Sequence, residues 1–158
     1  MNRIFDILDN MKEKYGNKDV LAKRGPDGKW IKYTVEQYDE HAHAIASALL
    51  EMGLQKGDKV ATIMQNRPEW NFLDMGITMA GCIHVPVYPT LNANDYRYIL
   101  NHADVKVIVM GVAQIFHRVE PAVPDLTAHP EIFTIDEIEG QRNFSELLQI
   151  GRDNREKW

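Results

Sequence analysis

From Lys59 to Ile150 the chain alternates strand-forming runs with segments of helical period, joined by connections of only a few residues. Successive antiparallel strands need no helix between them. A strand that is always followed by a helix returns parallel, through a right-handed crossover. "KVATIM" (59–64), "VKVIVM" (105–110) and "EIFTI" (131–135) are the strand-like runs. "VKVIVM" is apolar almost throughout, as a strand buried on both faces must be. The pattern predicts an α/β chain with three layers: a mainly parallel sheet with helices on both faces.

Local signals place the helices. Thr34 opens one, with Gln37 three residues on completing a capping box, and Val35, Tyr38, Ala42, Ile45, Ala46 and Leu49 follow at helical spacing up to Gly53. Pro68 suits the first turn of the next, where its missing N–H costs nothing, and Glu69 complements the dipole. Trp70, Phe72, Leu73, Ile77 and Met79 spread around most of that helix, while Gly76, Ala80 and Gly81 are small enough to let it lie close against a sheet. Further helices are expected over Asn94–Ala103, over Val112–Glu120 with a stop at Pro121, and over Phe144–Ile150 before Gly151. Ahead of the alternating region, "VLAKRGPDGKWIKYT" holds two extended runs around Pro26-Asp27-Gly28 and reads as a peripheral β-hairpin. The polar tail Arg152–Trp158 has no apolar periodicity and is expected to be weakly ordered, giving an α/β unit over 1–151 and a tail over 152–158.

One stretch resists this scheme. "IHVPVYPT" (83–90) is rich in strand formers, yet Pro86 and Pro89 lack the amide hydrogen that a ladder uses. Pro86 fits where pairing ends or one side is unpaired. Pro89 and its neighbour Tyr88 are both restricted away from helix, so the exit loop is stiff. At the carboxyl edge of a parallel sheet such a loop can shape a ligand crevice; strand termination alone is the plainer use.

Charge and composition remove several function classes. The net charge of −5, with no Lys/Arg stripe, disfavours nucleic acid. Cys82 is the only cysteine, so no internal disulfide forms and a reducing cytoplasm is the natural setting. The start, "MNRIFDILDNMKEKYG", brings Ile4, Leu8, Met11 and Tyr15 near one helical face, but acidic residues interleave with basic ones. That favours a helix packed on its own domain over a peripheral membrane helix. The mostly apolar run from Gly76 to Tyr88 is too short to span a bilayer.

Catalytic constellations are lacking. The glycines form neither a dinucleotide fingerprint nor a P-loop. His41 and His43 stand two apart on a helix, point in different directions, and read as solvated groups, not a metal pair. His84, His102 and His117 have no partner at ligand spacing, and hydrogen-bonded structural roles suit them better. Ser47 and Ser145 lack a nucleophile-elbow context, and Met75, Met79 and Met110 read as core filler.

"MAGCIHVPVYPT" nevertheless resembles the adenylate-forming superfamily of acyl-CoA synthetases, acyl activators and luciferases. "WIKYTVEQYDEHAHAIASALLEMGLQKGDKVATIMQNRPEW", "DYRYILNHADVKVIVM" and "FSELLQIG" continue the match in order over almost the whole chain. Pro68-Glu69-Trp70 and Val87-Tyr88-Pro89-Thr90 are similar to the long-chain fatty acid–CoA ligase branch. The resemblance implies an N-terminal subdomain of such a ligase, which joins ATP, a long-chain fatty acid and coenzyme A through an acyl-adenylate, with Mg. It also implies that the phosphate loop, the adenine and ribose contacts and the catalytic lysine lie beyond the position matching Trp158. No catalytic, cofactor-binding or metal residue is therefore assigned here, and the piece alone is expected to be inactive. Its expected partner is the remainder of the ligase chain; self-association and peripheral contact with the inner membrane surface stay open. So does a second reading, a stand-alone Rossmann-like binding or interaction module without catalysis.

Overall fold

The computed structural model describes residues 3–157. Helix α1 (Asp6–Tyr15) leads into an antiparallel hairpin, β1 (Asp19–Arg24) and β2 (Trp30–Thr34), then α2 (Val35–Glu51). The alternating region follows as β3 (Lys59–Ile63), α3 (Pro68–Met79), β4 (Ile83–Val87), α4 (Ala93–His102), β5 (Val105–Met110), α5 (Ala113–Val119) and β6 (Glu131–Thr134). A two-residue strand β7 (Arg142–Asn143) and α6 (Phe144–Asp153) complete it. The expected parallel sheet is present: five strands in the order β4-β3-β5-β6-β7, every pairing parallel. The hairpin stands apart as its own two-stranded sheet.

Alternation along the strands divides the core. Val60, Val107, Val109 and Phe133 face a layer built from α1, α2, α3 and α6. Ala61, Ile63, Ile108 and Met110 face the other way, onto α4 and α5. Both faces are covered, as a parallel sheet requires. The capping box at Thr34 and Gln37 is formed as read, and Gly53 takes a φ of +88° beyond the end of α2.

Several local readings change. The close approach permitted by Gly76 is to α2, not to the sheet: a Cβ there would meet Ile45 Cβ at 2.6 Å and the Ala42 carbonyl oxygen at 2.7 Å. Gly151 does not stop α6 but lies within it, because only a residue without a side chain fits there. A Cβ at Gly151 would stand 1.8 Å from the Ala44 carbonyl oxygen. The helix therefore runs on to Asp153, past the boundary expected at 151, and the Ser47 hydroxyl donates to the Asn154 carbonyl at 2.8 Å. Trp158 lies outside the described residues. Beyond α5 the chain continues through Pro121 as a 3₁₀ turn, Glu120–Asp125, whose looser hydrogen bonding tolerates both prolines. On α1 only Leu8 is buried; Ile4 and Tyr15 of the expected face are exposed, so the helix is held by Leu8 and by Lys12 reaching Asp39 at 3.0 Å.

The contact at Gly151 yields a test. Gly151→Ala has to push two helix backbones apart, and should lower unfolding stability by about 3 kcal/mol, read from the urea midpoint. An unchanged midpoint would contradict the packing described.

Candidate crevice at the carboxyl edge of the sheet

The parallel strands place their carboxyl ends along one edge, the side on which ligands bind in open α/β sheets. The strand order reverses between β3 and β5. That switch point is filled: the Gly111 amide donates to the Ile63 carbonyl at 3.0 Å, and a Cβ on Gly111 would meet Met64 Cβ at 2.8 Å. The open space lies on the other side of β3. A crevice of about 470 Å³ is lined by Met64, Gln65 and Asn66 after β3, by Trp70 of α3, and by Pro86–Pro89 leaving β4.

The two prolines are explained by position. β4 is the edge strand, so the ladder misses no bond on the outer side at Pro86, and the strand continues through it to Val87, further than the Ile83–Val85 strand expected. The exit loop is then tied by its carbonyls. The Tyr96 hydroxyl of α4 donates to the Tyr88 carbonyl at 2.9 Å, and the Arg118 guanidinium donates to that of Pro89 at 2.7 Å. One wall of the crevice is thus stiffened by two rings and two hydrogen bonds.

The opposite wall rests on a polar chain that runs from the half-buried Asp74 through His84 to the buried Thr62. His84 of β4 donates from Nδ1 to Asp74 of α3 at 2.7 Å, and its Nε2 lies 2.8 Å from the hydroxyl of Thr62 on β3. The carboxylate can only accept, so Nδ1 carries hydrogen and Nε2 is left for the Thr62 proton. The Trp70 ring sits 5.2 Å from the imidazole. The order Asp–His–Thr resembles a hydrolytic triad, but Thr62 is 1% exposed within the sheet, so no substrate reaches it. The chain is a brace that joins β3, β4 and α3, a hydrogen-bonded structural role of the kind the sequence suggested for His84. Nearby, burial and then the Asp74 charge push the Tyr38 phenol up to about 12.

A second buried charge anchors the hairpin beside the crevice. Glu69, 6% exposed, accepts from Arg67 Nε at 2.9 Å and from the Lys23 ammonium of β1. Burial alone would push its carboxyl up; the hydrogen bonds from Arg67 and Lys23 overcome this and bring it down from 4.5 to about 2. Sequence reading saw only a helix-dipole role for Glu69.

The other candidates stay apart. His41 and His43 each bond the carbonyl four residues back, at 2.6 Å and 3.0 Å. Instead of being solvated, the His41 ring stacks on Phe72 with centroids 4.6 Å apart. His102 stacks on Tyr98 and His117 lies 3.5 Å from Glu120. Asn143 caps α6, its Oδ1 accepting from the Ser145 amide at 2.9 Å and from the Ser145 hydroxyl at 2.7 Å. Among the described residues no three His, Cys, Asp or Glu side chains gather as a metal site.

Comparisons with known proteins bear on this arrangement. The model of a family described as AMP-binding enzyme matches residues 8–154. Fatty acyl-CoA synthetase A of Dictyostelium discoideum is 41% identical over 96 residues, covering 60% of this chain and 14% of that protein. Long-chain-fatty-acid–CoA ligase ACSBG1 of Rattus norvegicus is 27% identical over 146 residues, covering 89% of this chain and 20% of that one. A solved structure from Rhodopseudomonas palustris, described as a long-chain-fatty-acid CoA ligase, superposes with a TM-score of 0.81 at 25% identity, over 92% of this chain and 36% of its own. The chain thus spans a minor part of each.

Two tests follow from the buried groups. A carboxyl held low in the folded state contributes stability above its unfolded value and loses it as pH falls. The Glu69 contribution should therefore fade between pH 4.5 and about 2. Glu69→Gln should flatten that part of the acid limb and cost roughly 3 kcal/mol at neutral pH, measured by urea unfolding across pH. Thr62→Val keeps the volume but orphans His84 Nε2, and should cost about 1–3 kcal/mol; an unchanged urea midpoint would remove the brace from the account.

Proposed function

Because the chain belongs to the family of AMP-binding enzymes, matched over residues 8–154, we propose that it is part of a long-chain fatty acid–CoA ligase. The reaction would convert ATP, a fatty acid and coenzyme A to acyl-CoA, AMP and pyrophosphate through an acyl-adenylate. The fatty acyl-CoA synthetase relative, 41% identical over 96 residues, is the observation that carries this reading.

Within that enzyme these residues serve as scaffold. Adenylation needs backbone donors and cations arranged around a triphosphate. At the switch point of this sheet the space is occupied by Gly111 against Met64. Lys23 and Arg67, two cations beside the crevice, are engaged by Glu69, and Arg118 is engaged by the Pro89 carbonyl. The described residues therefore do not fit ATP, Mg or coenzyme A as a complete site, and no catalytic or cofactor role is assigned to any of them. What the chain offers is a rigid sheet edge and a braced crevice against which the remainder of the ligase packs. A cytoplasmic setting fits its single, buried Cys82.

The test is fatty-acid-dependent ATP–pyrophosphate exchange, run on the 158-residue chain and on the chain extended to the length of its relatives. Exchange is expected only from the extended protein. Activity of the short chain would overturn the scaffold role, and silence of the extended one with fatty acids of several lengths would sink the ligase assignment.

A further inference from the structure

The β1–β2 hairpin has a charge opposite to that of the molecule that carries it. Residues 18–34 hold five cations (Lys18, Lys23, Arg24, Lys29 and Lys32) against Asp19 and Asp27, in a chain of net charge −5. Alternation across the two strands sorts these groups. The register pairs Leu21 with Tyr33 and Lys23 with Ile31; on this side Leu21, Lys23 and Tyr33 are half-buried, Ile31 is exposed, and Lys23 reaches Glu69. It pairs Ala22 with Lys32 and Arg24 with Trp30, and all four of these are exposed.

The outer face therefore presents an indole flanked by cations. Trp30 is 59% exposed, and the Arg24 guanidinium lies over its ring at 5.4 Å. Arg24 has no acidic partner among the described residues, whereas Lys32 and Lys29 meet Asp19 and Asp27 at 3.1 Å and 3.5 Å. A large ring with a polar N–H, set among cations on a surface of opposite overall charge, matches the headgroup zone of an anionic bilayer. There tryptophan is favoured at the interface and each basic residue near the surface adds to the attraction.

We infer that the outer face of this hairpin docks on anionic lipid. The location matters for the crevice. Gln65 and Asn66 line both the crevice and a recess under the hairpin bounded by Lys23, Arg24, Trp30 and Arg67. Docking through Trp30 holds the crevice mouth, where Tyr88 is 78% exposed, close to the lipid surface. The inference rests on charge and exposure and does not depend on the ligase reading.

Co-sedimentation of the chain with sucrose-loaded vesicles tests it. Vesicles of equimolar phosphatidylcholine and phosphatidylglycerol should bind the protein, pure phosphatidylcholine should not, and high salt should release it. Combined Arg24→Glu and Lys32→Glu should weaken binding on the order of tenfold or more, and Trp30→Ala several-fold, with circular dichroism unchanged because these side chains point to solvent. The remote pair Lys14→Glu and Lys56→Glu makes the same change in net charge and should retain most of the binding. Three outcomes overturn the inference: no binding to anionic vesicles, equal losses in the hairpin and remote variants, or sedimentation without vesicles that depends on Trp30. The last would mark the face as a protein interface instead.

Discussion

The structure depends on how closely three helices approach on one side of the sheet. α2 carries Ala42, Ala44, Ala46, Ser47 and Ala48 in its middle turns, and glycines from its two neighbours meet it there, Gly76 of α3 and Gly151 of α6. Both contacts bring backbone carbonyls of α2 into the space that a Cβ would occupy. Close-packed interiors leave little room to relax such a contact. The spacing of these helices fixes how α3 lies on β3 and β4, and hence where Asp74 and Trp70 stand relative to His84.

The crevice is built by rigid parts from different layers. One wall is an edge strand whose prolines and tethered carbonyls restrict it; the other is the first turns of α3, held by the Glu69 and His84 hydrogen bonds. Buried polar groups of this kind are costly unless satisfied. Here the imidazole has partners on both nitrogens, and the Glu69 carboxylate has two cations. Such a wall keeps its shape without a ligand, as suits a surface against which further chain or a substrate is placed.

The family match extends over residues 8–154, nearly the whole of the chain. A chain spanning 14–20% of the relatives described above can carry a family's fold signature without carrying its reaction. Fold and function separate in this way because the sheet and its helices are specified by distributed apolar patterning, whereas a reaction needs a few groups converging at one point.

Much of the architecture was legible in the sequence by itself. Apolar period, capping residues and turn chemistry are local, so they revealed the hairpin, the Thr34–Gln37 box, Pro68 at a helix start and the alternation that makes the sheet parallel. The ordered motifs that resemble adenylate-forming enzymes also lie in the linear chain. Other features depend on strand order and helix placement, which no window of sequence contains. Pro86 is acceptable because β4 is an edge; Gly76 and Gly151 face α2 and not solvent or sheet; and β7 exists because two residues happen to meet β6. Asp74 and Thr62 both meet His84 although they lie 10 and 22 positions from it along the chain. Helical and strand periodicity says which side of an element a residue occupies, but only the packed layers decide which other element lies there.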